Sequence, residues 1–472
     1  MIEPNIWMAL PFGLLLLLIA LAPLFFSAWW GRHYAKVATG LAAVTIAYYL
    51  FGLDAVEQVT SVGRDYVRFI VLVGSLFVVT GGIHLTVKGE ATPWENVRFL
   101  LVGALAANVL GTTGASILLI RPWVRMNRYR ITGHHVAFFI FLISNVGGCL
   151  TPIGDPPLYL GYLKGVPFWW VAQRCWPVWL TGVALLLVMF YFADRGNYRR
   201  APKAVRERLA EPADHFHFDG LGNLFFLGVV LASAFLEHPP FLREALMLAA
   251  AAGSYFTTPR RVHHSNDFNF APIREVAILF VGIFATMMPA LDWLLANAAR
   301  FGAPNAGVFY FGSGTLSSVL DNAPTYLTFF SALLGAAVKP EVIAQVQNLL
   351  QTHAPLAPGA GAAHAEEIQQ TLAVLKQYFG AQFSQGTVSL EQIRVAYLLG
   401  NATLSNILVA ISAGSVFFGA NTYIGNGPNF MVKAIAEQSK VHTPTFLGYI
   451  ARFTLPYMLP MLVVVWFLFF RG

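Results

Sequence analysis

The sequence predicts an all-α polytopic membrane protein: two inverted repeats, each of five transmembrane helices plus a re-entrant hairpin, with discontinuous helices at the bilayer midplane. Three observations carry this prediction. Of the 472 residues, 57% are hydrophobic and 11% charged, with a mean hydropathy of +0.60; soluble chains average about 25% charged residues. Apolar segments of about 20 residues, the length a helix needs to cross a bilayer, follow one another along the chain. Two stretches set in such segments also read alike, Thr151-Pro152-Ile153-Gly154-Asp155-Pro156-Pro157 and Thr422-Tyr423-Ile424-Gly425-Asn426-Gly427-Pro428.

The N-terminal repeat is residues 1–194. Spans are expected near 7–26, 35–53 and 67–86, then an apolar stretch at 97–125 interrupted by Gly111-Thr112-Thr113-Gly114. That stretch is too polar at its middle to cross lipid as one helix, so it reads as hairpin one. A broken span at 134–163 carries the first motif, and a span at 175–194 closes the repeat. The stretch from Trp7 to Phe26 lacks a basic leader or cleavage site and reads as a span rather than a signal peptide. A charged linker covers 195–219.

The C-terminal repeat, 220–472, follows the same plan. Its spans are expected near 221–236, 242–258 and 272–290, with hairpin two at 305–335, a broken span at 403–436 and a last span at 446–470. A polar insertion at 338–390, with a Pro/Gly/Ala run from Pro355 to Ala363, reads as an extramembrane cap or linker. Three matches in order carry the repeat: Val73-Gly74 with Val281-Gly282, Val109-Leu110-Gly111 with Val319-Leu320-Asp321, and Thr151 with Thr422. Five crossings per half invert the second half relative to the first.

The net charge of +7 is not a sign of nucleic-acid binding, because the basic residues lie between apolar spans. Most fall on the side of the central linker, in Arg121, Arg125, Arg128 and Arg130, then Arg195, Arg199, Arg200, Lys203, Arg206 and Arg208. By the positive-inside rule the linker is cytoplasmic and both termini are outside, as for a multi-pass protein of the bacterial inner membrane. Trp169, Trp170, Trp176 and Trp179 read as an interfacial belt. The two cysteines, Cys149 and Cys175, have neither metal-ligand spacing nor a disulfide framework.

Gly and Pro break helices, and each unpaired backbone group costs several kcal/mol in hydrocarbon unless protein, water or an ion satisfies it. Matched breaks in the two halves therefore point to a transport site. Four elements would build it. Hairpin one offers Thr112, Thr113 and Ser116, and the first broken span offers Ser144, Asn145, Gly148, Thr151 and Asp155. Hairpin two offers Asp321, Asn322 and Thr325, and the second broken span offers Ser412, Asn421, Thr422, Asn426 and Asn429. Hydroxyl, amide and carbonyl oxygens are hard ligands that suit sodium, which Ser144, Asn145, Asp155, Asp321 and Asn322 would coordinate. An ionisable residue at bilayer depth is a functional hypothesis by default. Asp155 and Asp321 could each hold a proton or a sodium ion in turn, or could instead cap the helices that follow them. Asn108 would support hairpin one; Asn401, Ser405 and Asn406 would support the second break. No nucleophile–base pair or metal motif suggests an enzyme.

These motifs resemble the ion transporter superfamily, which includes sodium-coupled dicarboxylate and citrate carriers, D-type sodium/proton antiporters and the arsenite-pump membrane subunit. Ser144-Asn145-Val146-Gly147-Gly148 through Pro152-Ile153-Gly154-Asp155 is similar to a segment of the D-type antiporters, and Asp321-Asn322-Ala323-Pro324 to their hairpin. Gly154-Asp155-Pro156-Pro157 and Gly427-Pro428-Asn429 are similar to the breaks of the carboxylate carriers. Those carriers place Ser-Asn-Thr at both hairpin tips, and neither tip here has it. Bacterial citrate transporter-like proteins are a nearer match. The resemblance implies an ion-coupled secondary transporter with an elevator mechanism: sodium/proton antiport, or alternatively proton- or sodium-coupled transport of citrate or another organic anion. The bilayer and a small ion or organic anion are the expected partners, with Na+ and H+ as coupling ions and no other cofactor; a homodimer is allowed for.

Overall fold

The computed structural model describes residues 3–86, 91–200, 217–236, 239, 241–352 and 364–471. Among them eight helices are long and apolar enough to cross a membrane, which makes the chain an all-α polytopic membrane protein. The first three helices along the chain are α1 (Leu10–Phe25) and α2 (Ser27–Ala47), both within those eight, and α3 (Val56–Gly81), which is not one of them. The third span expected at 67–86 thus starts and ends earlier. It gives way to a short strand, β1 (His84–Thr86), that pairs antiparallel with β2 (His217–Asp219). Strands of three residues carry too little periodicity to be read from sequence.

Hairpin one is α4 (Pro93–Met126), which starts with a Thr92–Glu95 capping box. Its hydrogen-bond ladder hides a reversal at Gly111, whose φ of 72° and ψ of 154° belong to a region that essentially only glycine occupies. The chain doubles back there. The Ala91 N–H donates to the Met126 carbonyl at 3.0 Å, and the Asn96 and Asn127 amides bond reciprocally at 2.8 and 3.0 Å. The Phe99 and Trp123 rings stack at 5.4 Å.

The first broken span consists of α5 (Gly133–Leu142), a 3-10 turn at Val146–Leu150 and α6 (Pro156–Leu163); α7 (Phe168–Arg200) follows. Because α7 continues to Arg200 and β2 begins at His217, the segment 195–219 is structured at both ends. Lys203, Arg206 and Arg208 lie outside the described residues.

In the second half, α8 (Asn223–Ser233), α9 (Leu242–Thr257), α10 (Arg260–Ser265) and α11 (Ala271–Asn297) precede hairpin two, whose arms are α12 (Ala306–Val319) and α13 (Asn322–Ala337). The arms meet at Phe309 and Phe329, 5.9 Å between rings. The expected polar insertion is largely helical: α14 (Pro340–Thr352) leaves α13 at 88°, and α15 (Ala365–Tyr378) and α16 (Gly380–Gln385) follow. The Pro355 to Ala363 run lies outside the described residues. After α17 (Leu390–Gly400), the second broken span is α18 (Ala402–Phe418), a 3-10 turn at Gly419–Asn421 and α19 (Gly427–Gln438). The chain then forms α20 (Phe446–Tyr449), a π-helical run at Ile450–Met458 and α21 (Leu459–Phe469).

The helices sort into two groups. In the first, α1, α2, α3, α8, α9 and α11 pack on one another; Phe69 stacks on Phe280 at 4.7 Å and the Ser75 hydroxyl donates to the Met247 carbonyl at 3.1 Å. In the second, both hairpins pack with both broken spans. α4 touches α19 of the other half and α13 touches α6, a reciprocal exchange. The groups meet where α3 faces α4 and α11 faces α13. Connections also sort into two ends. β1 meets β2 and Arg121 pairs with Asp267 at 3.1 Å at one end. At the other, Asn5 meets Tyr48 at 3.1 Å, Glu3 meets Asn297 at 3.3 Å and Gln173 meets Tyr378 at 3.0 Å.

Candidate ion site

The two breaks have matching backbones. Thr151 and Thr422 are extended, with φ, ψ of −134°, 152° and −140°, 168°. Asp155 and Asn426 are extended as well, at −142°, 143° and −152°, 139°. Each threonine hydroxyl accepts from a glycine N–H three residues on, Gly154 or Gly425, at 3.1 Å. Each donates to a carbonyl on the hairpin of its own half: Thr151 to Asn108 and Thr422 to Ser318, both at 2.6 Å. These bonds satisfy groups that the helix breaks would otherwise leave bare in an apolar interior.

Hairpin one is stitched to its break along both backbones. The Thr112 N–H donates to the Gly154 carbonyl at 2.7 Å, and the Asn108 amide donates to the Gly147 carbonyl at 2.7 Å while accepting from the Leu150 N–H at 2.9 Å. A Cβ on Gly148 would fall 2.6 Å from the Thr112 methyl and 2.9 Å from the Gly154 carbonyl oxygen, so the approach requires glycine. Trp179 donates its indole N–H to the Gly147 carbonyl at 2.9 Å. The expected aromatic belt therefore needs correction: Trp169 and Trp176 are exposed, while Trp170 and Trp179 are buried.

Asp155 is where the four elements converge. Pro156 and Pro157 occupy the first turn of α6, where a proline's missing N–H is no loss, and the Asp155 side chain makes no cap bond. Its buried carboxylate accepts instead from Thr112 Oγ1 of hairpin one at 2.6 Å, from Asn322 Nδ2 of hairpin two at 2.6 Å and from Asn426 Nδ2 of the second break at 3.2 Å. All three donors are neutral. Asn426 also reaches the Ser144 carbonyl at 3.0 Å and Asn145 Oδ1 at 3.2 Å. Asn145 donates to Asn429 Oδ1 at 2.7 Å, and Asn429 donates onward to the carbonyls of Gly419 and Thr422 at 2.8 and 2.9 Å. The Ser116 and Ser144 hydroxyls meet at 2.8 Å.

Other expected members stand apart. Asp321 accepts from the Ala323 N–H at 3.0 Å and caps α13, so among its hydrogen bonds none reaches Asp155. The Thr325 and Ser412 hydroxyls each bond a carbonyl one turn back in their own helix, Asp321 at 2.9 Å and Leu408 at 2.8 Å. Asn421 holds the Ser318 hydroxyl at 2.8 Å rather than the central cluster. Thr113 lines a cavity of about 30 Å³ between hairpin one, the first break and α3, which Asp155 also lines. That is room for one water-sized occupant. Buried Asn322 Oδ1 has no hydrogen-bond partner among the described residues.

Ser318, absent from the sequence-derived set, was within reach, since the spacing that aligns Val109 with Val319 also aligns Asn108 with Ser318. A second buried polar cluster was not anticipated. Asp194 of α7 receives Asn96 Nδ2 at 2.9 Å and Arg130 Nη2 at 3.1 Å, with His135 Nε2 at 3.2 Å, at the open end of hairpin one. Asp194 inside an apolar span was the available signal.

A family model described as "Putative citrate transport" matches residues 2–470. The chain belongs to that family. Two proteins of Mycobacterium tuberculosis, from strains CDC 1551 / Oshkosh and ATCC 25618 / H37Rv and each named an uncharacterized transporter, are 25% identical to it over 320 residues. The alignment spans 62% of this chain and 74% of each of theirs. The protein is thus a multi-pass membrane transporter of the citrate-transporter-like family, and nothing in that kinship suggests an enzyme.

Proposed function

We propose that this transporter exchanges sodium for protons at Asp155. The observation that carries the reading is the convergence of both hairpin tips and the second break on that one carboxylate. A carboxylate at bilayer depth is costly unless a proton, a cation or hydrogen bonds compensate it. Thr112, Asn322 and Asn426 compensate it through neutral donors that can turn their oxygens, instead of their hydrogens, toward a metal ion. The orphan Asn322 Oδ1, the Asn145 amide oxygen and the hydroxyls of Ser116 and Ser144 add hard ligands nearby. Asp321, one residue from Asn322, is the second acid of the exchange, tuning the charge at hairpin two.

The matched breaks and the reciprocal packing of hairpins on broken spans support an inverted repeat, with both hairpins re-entrant and the linker cytoplasmic. The two helix groups support an elevator motion in which hairpins and broken spans slide along α3 and α11. Everted membrane vesicles energised with a proton gradient test the reading: added sodium or lithium dissipates the gradient with the intact protein and not with Asp155→Asn. An unchanged response in that variant removes the proposal.

The family description favours a second reading, cation-coupled transport of citrate or a similar organic anion. Among the described residues no cationic side chain bonds into the central cluster, so coupled cations at Asp155 would supply the partner for such an anion. Uptake of labelled citrate into right-side-out vesicles, with and without sodium, decides between the two.

A further inference from the structure

The boundary between the two helix groups is crossed by a partly buried ion pair. Lys164, at the C-terminal end of α6, donates from Nζ to Asp65 Oδ2 of α3 at 2.7 Å, and the side chains retain 24% and 10% of their exposure. Lys164 belongs to the first broken span and moves with the site; Asp65 belongs to the group on which α3 and α11 lie. Around the pair, the Tyr162 hydroxyl donates to the Ala234 carbonyl at 3.0 Å and Phe168 packs on Phe235 at 4.7 Å. These contacts join the same two groups at the same end.

Lys164 also lines a cavity of about 640 Å³ between α3, α11 and hairpin two, with Glu57, Asp292, Ser331, Glu391 and Arg394 among its other walls. At the opposite end of α3 and α11, between hairpin one and the loop at Asn266, the cavity is about 200 Å³. Of these two cavities the larger lies at the Lys164 end, and the ion pair is formed beside it.

We propose that Lys164 and Asp65 form a latch that holds the carrier open toward the larger cavity. The inference rests on the elevator reading above and adds a determinant of which side the carrier favours. A slide of the broken span along α3 separates the two groups, and both have somewhere to go. Arg68, one turn from Asp65, lies 3.9 Å from its carboxylate and bridges toward Glu244 at 3.8 Å. Lys164 keeps the Glu391 carboxylate, which lines the same cavity on α17 and moves with hairpin two and the second broken span on which α17 packs. Neither charge is left alone, so the latch releases without the large penalty of a stranded buried ion.

The test uses Ser331, which lines the larger cavity on hairpin two, changed to cysteine in the full-length protein with Cys149 and Cys175 replaced by alanine. A membrane-impermeant maleimide then reports access to that cavity in vesicles of defined orientation. Lys164→Met and Asp65→Asn each slow labelling by about fivefold, the scale of one partly buried ion pair. Lys164→Arg and the reversed pair Lys164→Asp/Asp65→Lys restore it, which separates a latch from a folding defect. Labelling that responds to a sodium or proton gradient but is the same in all four variants overturns the latch and leaves the elevator standing. Labelling that no gradient changes, even with the intact pair, overturns both.

Discussion

Asn322 Nδ2 lies 2.6 Å from Asp155 Oδ2, across 167 residues of sequence. Hairpin two of one half thereby closes on the broken span of the other. Thr112 approaches the second oxygen of the same carboxylate at 2.6 Å, so the donors around Asp155 come from both halves of the chain. Moving one hairpin changes the solvation of a charge that both halves share.

Asp155 and Asp321 should respond differently to amide replacement. Asp155→Asn puts an amide N–H among donors and removes the only carboxylate they share; exchange should fall at least about a hundredfold, on the scale of losing a buried charged partner. Asp321→Asn keeps a side-chain oxygen for the Ala323 N–H, and asparagine is a good helix cap, so folding should be spared and the loss of exchange smaller. Initial rates of sodium-driven proton movement in everted vesicles, normalised to protein in the membrane, check both.

Asn322→Ala and Thr112→Val each remove one donor from a buried carboxylate. Losing a hydrogen bond to a charged group costs about 1.5–3 kcal/mol, so the sodium concentration for half-maximal exchange should rise about tenfold or more. Thr325→Val, whose hydroxyl bonds only within its helix, should leave it within about twofold.

Gly111→Ala should weaken the fold at the tip of hairpin one, beside Thr112 and the small cavity that Asp155 also lines. Its φ of 72° and ψ of 154° would cost alanine about 1–3 kcal/mol, on top of a Cβ placed 3.4 Å from the Ile153 carbonyl oxygen. Thermal unfolding in detergent should show a lower midpoint than the parent protein. Gly13→Ala, where a Cβ meets open space, is the control.

Asp194→Asn should be among the most destabilising single changes in the chain. It leaves the Arg130 guanidinium and Asn96 amide buried without their carboxylate, and breaking a buried pair from one side costs about 3–5 kcal/mol. Reduced yield of folded protein and a lowered unfolding midpoint are expected, with sodium affinity of the surviving protein little changed.

The sequence located the breaks well. The Thr151-to-Pro157 and Thr422-to-Pro428 motifs sit between helices where Gly and Pro placed them, and Gly111 and Asp321 mark the hairpin turns. It misjudged Trp170 and Trp179, because apolar bulk at a span end reads the same whether it faces lipid or protein. It read 338–390 as a polar cap or linker with some helical character in its Gln-rich stretch, without bounding helices α14 to α16. Ser412 and Thr325 looked like site residues because a hydroxyl near a break can turn outward or back onto its own helix, and sequence does not say which.

Composition and periodicity by themselves determined a multi-pass helical membrane protein, and Gly and Pro marked its paired helix breaks, since lipid imposes length and backbone satisfaction on each segment locally. Only the tertiary structure decided that Asp155, rather than Asp321, becomes the meeting point of four elements. Both aspartates stand before a helix start in the sequence, Asp155 directly before Pro156-Pro157 and Asp321 three residues before Pro324. They diverge when one has a free backbone N–H within reach to cap, and the other has its first turn occupied by prolines and must find its partners across the fold.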